Sequence, residues 1–141
     1  MKLDNSLLYN NIEPVTAYDD PGELLDLIFE MFKLMDESGG IGLAANQVGI
    51  NKRIFVMRIG PEAHRMFINP KVLDLSQNRT TLVEGCLSFP DLQKAVTRPD
   101  WVEAEWQDIY GTTYTARLTG LEARVFLHEL DHLNGITINE R

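Results

Sequence analysis

Two histidines four residues apart, on a helix that is otherwise apolar along that side, constrain this chain more than any other feature. They stand in His128-Glu129-Leu130-Asp131-His132. The helix is signalled at its start by Thr119-Gly120-Leu121-Glu122, which has the form of a capping box, and at its end by Asn134-Gly135. Four helical residues turn through about 400° and rise about 6 Å, so both imidazoles leave one face. Leu121, Val125, His128 and His132 fall at i, i+4, i+7 and i+11, so the pair continues an apolar stripe. A fold that buries this stripe sets two ring nitrogens side by side, partly shielded from water. Two neutral imidazoles so placed can share a divalent ion, and a glutamate beside the first is the usual general base of metal-assisted hydrolysis.

A catalytic site needs a third protein ligand and a fourth position left for water. Cys86, in Glu84-Gly85-Cys86-Leu87-Ser88, is the only thiol in the chain and completes a Cys/His/His set. A lone cysteine is more often a small buried hydrophobe than a functional group, so its neighbours have to carry the reading. His64 is a rival, but Pro61-Glu62-Ala63-His64 reads as a loop and places it in solvent. A third segment, Gly40-Ile41-Gly42-Leu43-Ala44-Ala45-Asn46-Gln47, alternates glycines that allow close backbone approach. Gln47 at its end can donate an amide hydrogen bond to a developing oxyanion. No Lys-Ser/Thr follows these glycines, so the segment is not a phosphate loop.

The rest of the chain supplies a scaffold. A first helix starts at Asp20-Pro21-Gly22-Glu23, with an N-cap aspartate and proline at the first helical position. Leu24, Leu27, Ile28, Met31, Leu34 and Met35 follow helical spacing, and Gly39-Gly40 stops it. Arg53 to Ile59 reads as a mostly apolar strand, and Arg65 to Leu73 as one interrupted by Pro70. Lys94 and Arg98 flank another. Trp101 to Trp106 and Thr112 to Leu118, joined at Tyr110-Gly111, read as a hairpin. The coarse fold class is α+β: a helix, several antiparallel strands, and a C-terminal helix packed on the sheet. At 141 residues, with no repeat or linker, residues 1–141 are expected to form one domain.

Thirteen basic residues against twenty-one acidic give a net charge of -8. Such a surface repels phosphate backbones and anionic lipid, so neither nucleic acid nor a membrane is expected as a partner. No signal-peptide core or bilayer-length apolar run appears, and a cytoplasmic location is expected.

GIGLAANQ, EGCLS and HELDH, in this order, resemble the three signature motifs of the peptide deformylase family, and the resemblance runs from about Leu24 to Ile138. It implies antiparallel sheets packed around a central C-terminal metal-binding helix, with an N-terminal helix, and that Cys86, His128 and His132 bind one divalent metal. Fe²⁺ would be native, with Zn²⁺, Ni²⁺ or Co²⁺ able to replace it. Metal-activated water would attack the formyl carbon of an N-terminal formyl-methionine and release formate, with Glu129 as acid/base. Gln47 and the backbone N–H of Leu87 match the oxyanion donors. The peptide would lie extended against Ile41, Gly42 and Gly85, and Ile41, Leu82, Leu121 and Val125 would wall the methionine pocket. Those four are also ordinary core residue types. Arg98 and Asp131 match family positions with a structural role, Asp131 as a candidate to steer a ligand imidazole.

Three departures accompany the resemblance. Leu127 stands where many relatives carry Gln, and Gln93 where some bacterial enzymes carry Arg. Nine residues follow His132, fewer than in typical bacterial members, which continue into a further helix. That short form is similar to members encoded by bacteriophages and implies only weak or transient contact with the ribosome. Three other readings compete. A zinc endopeptidase would take Glu140 as the sole downstream third ligand. An inactive relative would bind N-termini as a module, and would be expected to have lost a ligand or Glu129. A cysteine-nucleophile hydrolase would pair Cys86 with a histidine, which leaves the i, i+4 pair unexplained.

Overall fold

The computed structural model describes residues 1–61 and 63–141. Among them are two α-helices, α1 (Pro21–Glu37) and α2 (Gly120–Leu133), and seven strands. The strands are β1 (Gly42–Ala44), β2 (Ile54–Met57), β3 (Arg65–Leu75), β4 (Arg79–Cys86), β5 (Phe89–Pro99), β6 (Trp101–Gln107) and β7 (Thr113–Thr119). They form a five-stranded sheet in the order β1-β2-β3-β6-β7 and a two-stranded sheet β4-β5, with every pairing antiparallel. The α+β class read from the sequence is the class observed.

The larger sheet separates two apolar layers, and β2 shows why its sequence carries no polar alternation. Ile54 and Val56 face the layer formed with Leu24, Ile28, Met31 and Met35 of α1. Phe55 and Met57 face the layer formed with Ala123, Val125, Phe126 and Leu133 of α2. Successive side chains point to opposite faces, so a strand covered on both must be apolar throughout. Phe126 anchors α2 by meeting the stacked rings of Phe55 and Phe67 edge-on, at centroid distances of 5.3 and 5.6 Å. Each such aromatic pair adds about 0.5–1.5 kcal/mol beyond the area it buries.

α1 starts as its sequence dictates: the Asp20 carboxylate accepts the Glu23 N–H at 3.0 Å, and Gly39 follows with φ 72°. The start of α2 differs from expectation. Thr119 is the N-cap, but its side chain makes no capping bond. Glu122 does not reach back either; its carboxylate accepts from Arg65 at 3.1 Å. Gly120, at φ 57°, turns the chain directly from β7 into the helix, a conformation open to glycine at little cost. Pro70 does not end β3. Asn69 takes a left-handed conformation (φ 50°) and the pairing with β6 shifts between Ile68 and Lys71, so the strand passes the proline through a bulge. The Asn69 side chain holds the bend by bonding Val15 N, Val15 O and Gln107 Oε1.

The β4-β5 hairpin is only hinted at in the sequence, by a strand between Lys94 and Arg98. In the structure it runs the full length of both segments, with Gly85 opposite Gln93 and then Cys86 opposite Phe89. That jump in register bulges β5 beside the cysteine and turns Cys86 toward α2.

Candidate active site

α2, β1 with the 3-10 turn Ala45–Gln47 after it, and the end of β4 converge on one cavity of about 640 Å³. Cys86 lies at the hairpin end, and His128 and His132 on the buried face of α2. Their potential ligand atoms all lie within 4.8 Å of one another. Cys86 Sγ is 3.3 Å from His132 Nε2. Bonds of 2.0–2.3 Å to one tetrahedral ion would space such atoms by roughly 3.5 Å. His132 is fully buried behind the cavity wall, and His128 is 9% exposed.

Glu129 lines the cavity and is 3% exposed, with Oε2 3.9 Å from His128 Nε2 and Oε1 buried without a hydrogen-bond partner. Burial pushes its carboxyl up to about 7, against the opposing pull of His128. The two imidazoles are driven apart. Burial lowers His132 to about 3, helped by the neighbouring charge of His128. Burial also opposes the charged form of His128, but Glu129, Cys86 and Glu84 outweigh it and hold that ring up to about 10. A soft thiol, two close imidazoles and an unpartnered buried carboxylate oxygen are the donor chemistry that a divalent transition ion satisfies. The residues fit such an ion.

Gln47 is oriented by its own backbone neighbourhood. Its Oε1 accepts the Ala44 N–H at 2.9 Å, which turns the NH₂ outward, 3.0 Å from Ser88 Oγ and 3.5 Å from Cys86 Sγ. Leu87 sits in the two-residue hairpin turn with its side chain against Gly40. Ile41, Gly42, Leu82, Gly85, Leu121 and Val125 all line the same cavity. Val125 is buried, whereas Ile41, Leu82 and Leu121 are 44%, 49% and 48% exposed, an apolar surface open to a guest. His64 lies elsewhere, in an exposed loop with Nε2 2.6 Å from Asp36. Glu140 caps its own turn by accepting from Thr137 N at 3.2 Å, which removes it as a metal ligand.

Asp131 does not steer an imidazole. Its carboxylate accepts from Arg98 at 2.9 Å and from Arg141 at 2.6 and 3.0 Å. The imidazole partner is Glu84, whose Oε1 lies 2.8 Å from His128 Nδ1. Glu84 also accepts from Arg98 at 2.7 and 3.0 Å and from Arg124 at 2.6 Å. Burial would raise its carboxyl, but the bonds from His128 and Arg98 prevail and hold it down at about 2. Arg124 further donates to the carbonyls of Thr80 and Val96, tying the hairpin to α2. Sequence reasoning passed over Glu84 and Arg124. A signal was available: Arg124, His128 and Asp131 share one helical face, so charged residues there had to meet buried partners.

Residues 1–141 match the family model for polypeptide deformylase. The chain belongs to the peptide deformylase family. A peptide deformylase of Natranaerobius thermophilus is 41% identical over 98% of this chain and 87% of its own length. The crystal structure of the Thermotoga maritima peptide deformylase superposes with a TM-score of 0.91 at 38% identity, covering 96% of this chain and 90% of that one. A probable peptide deformylase from Synechococcus phage S-SSM7 gives 0.92 at 37% identity, covering 99% and 97%. The cavity between α2, β1 and the β4-β5 hairpin is therefore the candidate active site of a deformylase. No helix among the described residues is long and apolar enough to cross a membrane.

Proposed function

We propose that this chain removes the formyl group from the N-terminal formyl-methionine of newly made polypeptides and releases formate. Family membership supports a metal-dependent hydrolase of N-formyl-methionyl peptides. The observation that carries the mechanism is the approach of Glu129, the Gln47 amide and the Cys86/His128/His132 cluster around one apolar-walled cavity.

Cys86, His128 and His132 would hold the ion, which when bound lowers the pKa of water toward neutrality and polarises a carbonyl. Glu129 accepts a proton from the attacking water and delivers it to the departing amine nitrogen. A carboxyl pushed up to about 7 serves both halves of that transfer near neutral pH. The Gln47 NH₂ and the Leu87 backbone N–H donate to the oxygen that gains charge as the formyl carbon becomes tetrahedral. The peptide lies extended against the backbone of Ile41, Gly42 and Gly85, with the methionine side chain among Ile41, Leu82, Leu121 and Val125.

Fe²⁺ is the native metal in this reading, with Zn²⁺, Ni²⁺ and Co²⁺ as functional substitutes for a site that joins thiolate to imidazole. Residues 1–141 act as one cytoplasmic catalytic domain. The likeness to the phage protein supports a bacteriophage source. The net charge of -8 supports weak or transient contact with the ribosome.

Anaerobic purification, metal analysis and a formate-release assay on a formyl-Met peptide test the proposal. Formate release that tracks bound iron and decays in air is the expected result. Peptide binding without turnover in every metal form would instead identify an inactive module that recognises N-termini. Highest activity as purified in air, with zinc alone, would end the iron assignment and leave the deformylase one. Little co-sedimentation with ribosomes at moderate salt is expected; tight, saturable binding would overturn the weak contact.

A further inference from the structure

Asn46 stands between Ala45 and Gln47, and its side chain is fully buried. Its Nδ2 donates to the main-chain oxygen of His132 at 2.5 Å and to that of Leu7 at 3.4 Å. Both neighbours are carbonyl oxygens, so the amide can present only its NH₂ to them and Oδ1 must face the other way. The His132 carbonyl lies in the last turn of α2, where helical partners run out, and it also accepts Gly135 N at 2.9 Å. Asn46 thus grips the ligand helix at the residue that carries an imidazole, while the next residue, Gln47, reaches Cys86 and Ser88.

Among the described residues three buried side-chain atoms have no hydrogen-bond partner: Asn46 Oδ1, His132 Nδ1 and Glu129 Oε1. Two of the three belong to residues already joined by the 2.5 Å bond. They are also complementary. Amide Oδ1 can only accept. His132 directs Nε2 toward Cys86 Sγ, 3.3 Å away; with that nitrogen's lone pair given to an ion, Nδ1 must carry the ring proton and can only donate. Buried polar atoms are rarely left single, and a metal-ligating histidine almost always gives its other N–H to an acceptor.

We propose that Asn46 is a positioning residue for His132: its NH₂ fixes the backbone carbonyl, and its Oδ1, which makes no direct bond to the ring, accepts the Nδ1–H through one bridging water. This rests on the reading of Cys86, His128 and His132 as metal ligands. It makes Asn46 for His132 what Glu84 is for His128, with a neutral acceptor in place of a charged one.

The test uses the full chain labelled with ¹⁵N at histidine and loaded with Zn²⁺, which is diamagnetic, with zinc content measured on the same sample. A slowly exchanging His132 Nδ1–H resonance that cross-relaxes with the Asn46 amide is expected. In N46L that resonance should vanish or move, and zinc affinity should fall roughly 10–100-fold. N46D keeps the acceptor while losing the donor, and should retain the Nδ1–H signal, a rescue that a purely structural role would not produce. An unchanged signal in N46L, or a zinc-bound wild type with His132 protonated at neither nitrogen or in rapid exchange, overturns the proposal. If N46L does not fold, the wild-type spectrum alone decides between these outcomes. Failure of the wild type to bind zinc at all overturns the ligand reading beneath it, and the proposal with it.

Discussion

Gly42 and Glu129 touch across the cavity so closely that a Cβ on Gly42 would lie 2.5 Å from Glu129 Oε2 and 2.9 Å from Val125 Cγ1. β1 can approach α2 only because position 42 has no side chain. Gly42→Ala should therefore push the Glu129 carboxylate off its station. An ångström of misplacement costs on the order of 10²-fold in rate, and the overpacking about 1–3 kcal/mol in stability. Formate-release kinetics beside a urea melt would check both, and wild-type turnover in G42A would show the carboxylate free to move without consequence.

Glu129→Gln should separate catalysis from stability. Turnover should drop by about 10²–10⁴-fold, the usual contribution of a general acid–base group. Metal content should hold, and the variant should melt no lower than the wild type, because a buried and incompletely partnered carboxylate is replaced by a neutral amide. A pronounced loss of thermal stability would mean that Glu129 is a structural acid.

Cys86→Ser exchanges a soft thiolate for a poor alcohol ligand. Metal retention should weaken, and the preference among added Fe²⁺, Co²⁺ and Zn²⁺ should shift. Stoichiometry and preference identical to the wild type would return Cys86 to the status of an ordinary half-buried thiol.

Glu84→Gln keeps the shape of a side chain that holds Arg98, Arg124 and His128 together but removes its charge. Breaking a buried ion cluster from one side costs about 3–5 kcal/mol, since Arg124 stays buried without a counter-charge and Arg98 keeps only Asp131. Metal affinity should fall roughly 10–100-fold as His128 loses its orienting partner. Denaturant unfolding and metal titration read the two effects separately; a change under 1 kcal/mol on the order of a surface pair would show the cluster to be solvated.

Chelation should lower the melting temperature without unfolding the chain. An ion present at about 1,000 times its dissociation constant adds about 4 kcal/mol to the folded state, which in a chain of this size shifts the midpoint by on the order of 10 °C. α2 remains anchored without it by Phe126, Val125 and Leu133 in the core, so far-UV circular dichroism should persist. Loss of that signal on chelation would make the metal a folding element.

What the amino-acid sequence determined by itself is local and periodic. The i, i+4 histidines share a helical face by geometry alone. Asp20-Pro21 starts α1 because cap chemistry acts within a few residues, and β2 is apolar throughout because both its faces are covered. The single thiol and the glycine-rich segment pointed to Cys86 and Gln47, and family motifs carried the reading further, to the backbone N–H of Leu87. Tertiary structure decided everything that depends on distant partners. Whether Glu84 or Asp131 would meet an imidazole depended on where the β4-β5 hairpin crosses α2, 44 residues separating Glu84 from His128. Thr119 and Glu122 spell a capping box, yet Arg65 on β3 captures the glutamate and Gly120 makes the turn. Pro70 reads as a strand breaker until Asn69 finds Val15 and Gln107 to hold a bulge around it. Where a short-range preference worth about 1 kcal/mol existed, it yielded to hydrogen bonds, packing or ion pairs with partners that only the whole fold supplies. The demand that every buried charge find a partner is satisfied only in three dimensions.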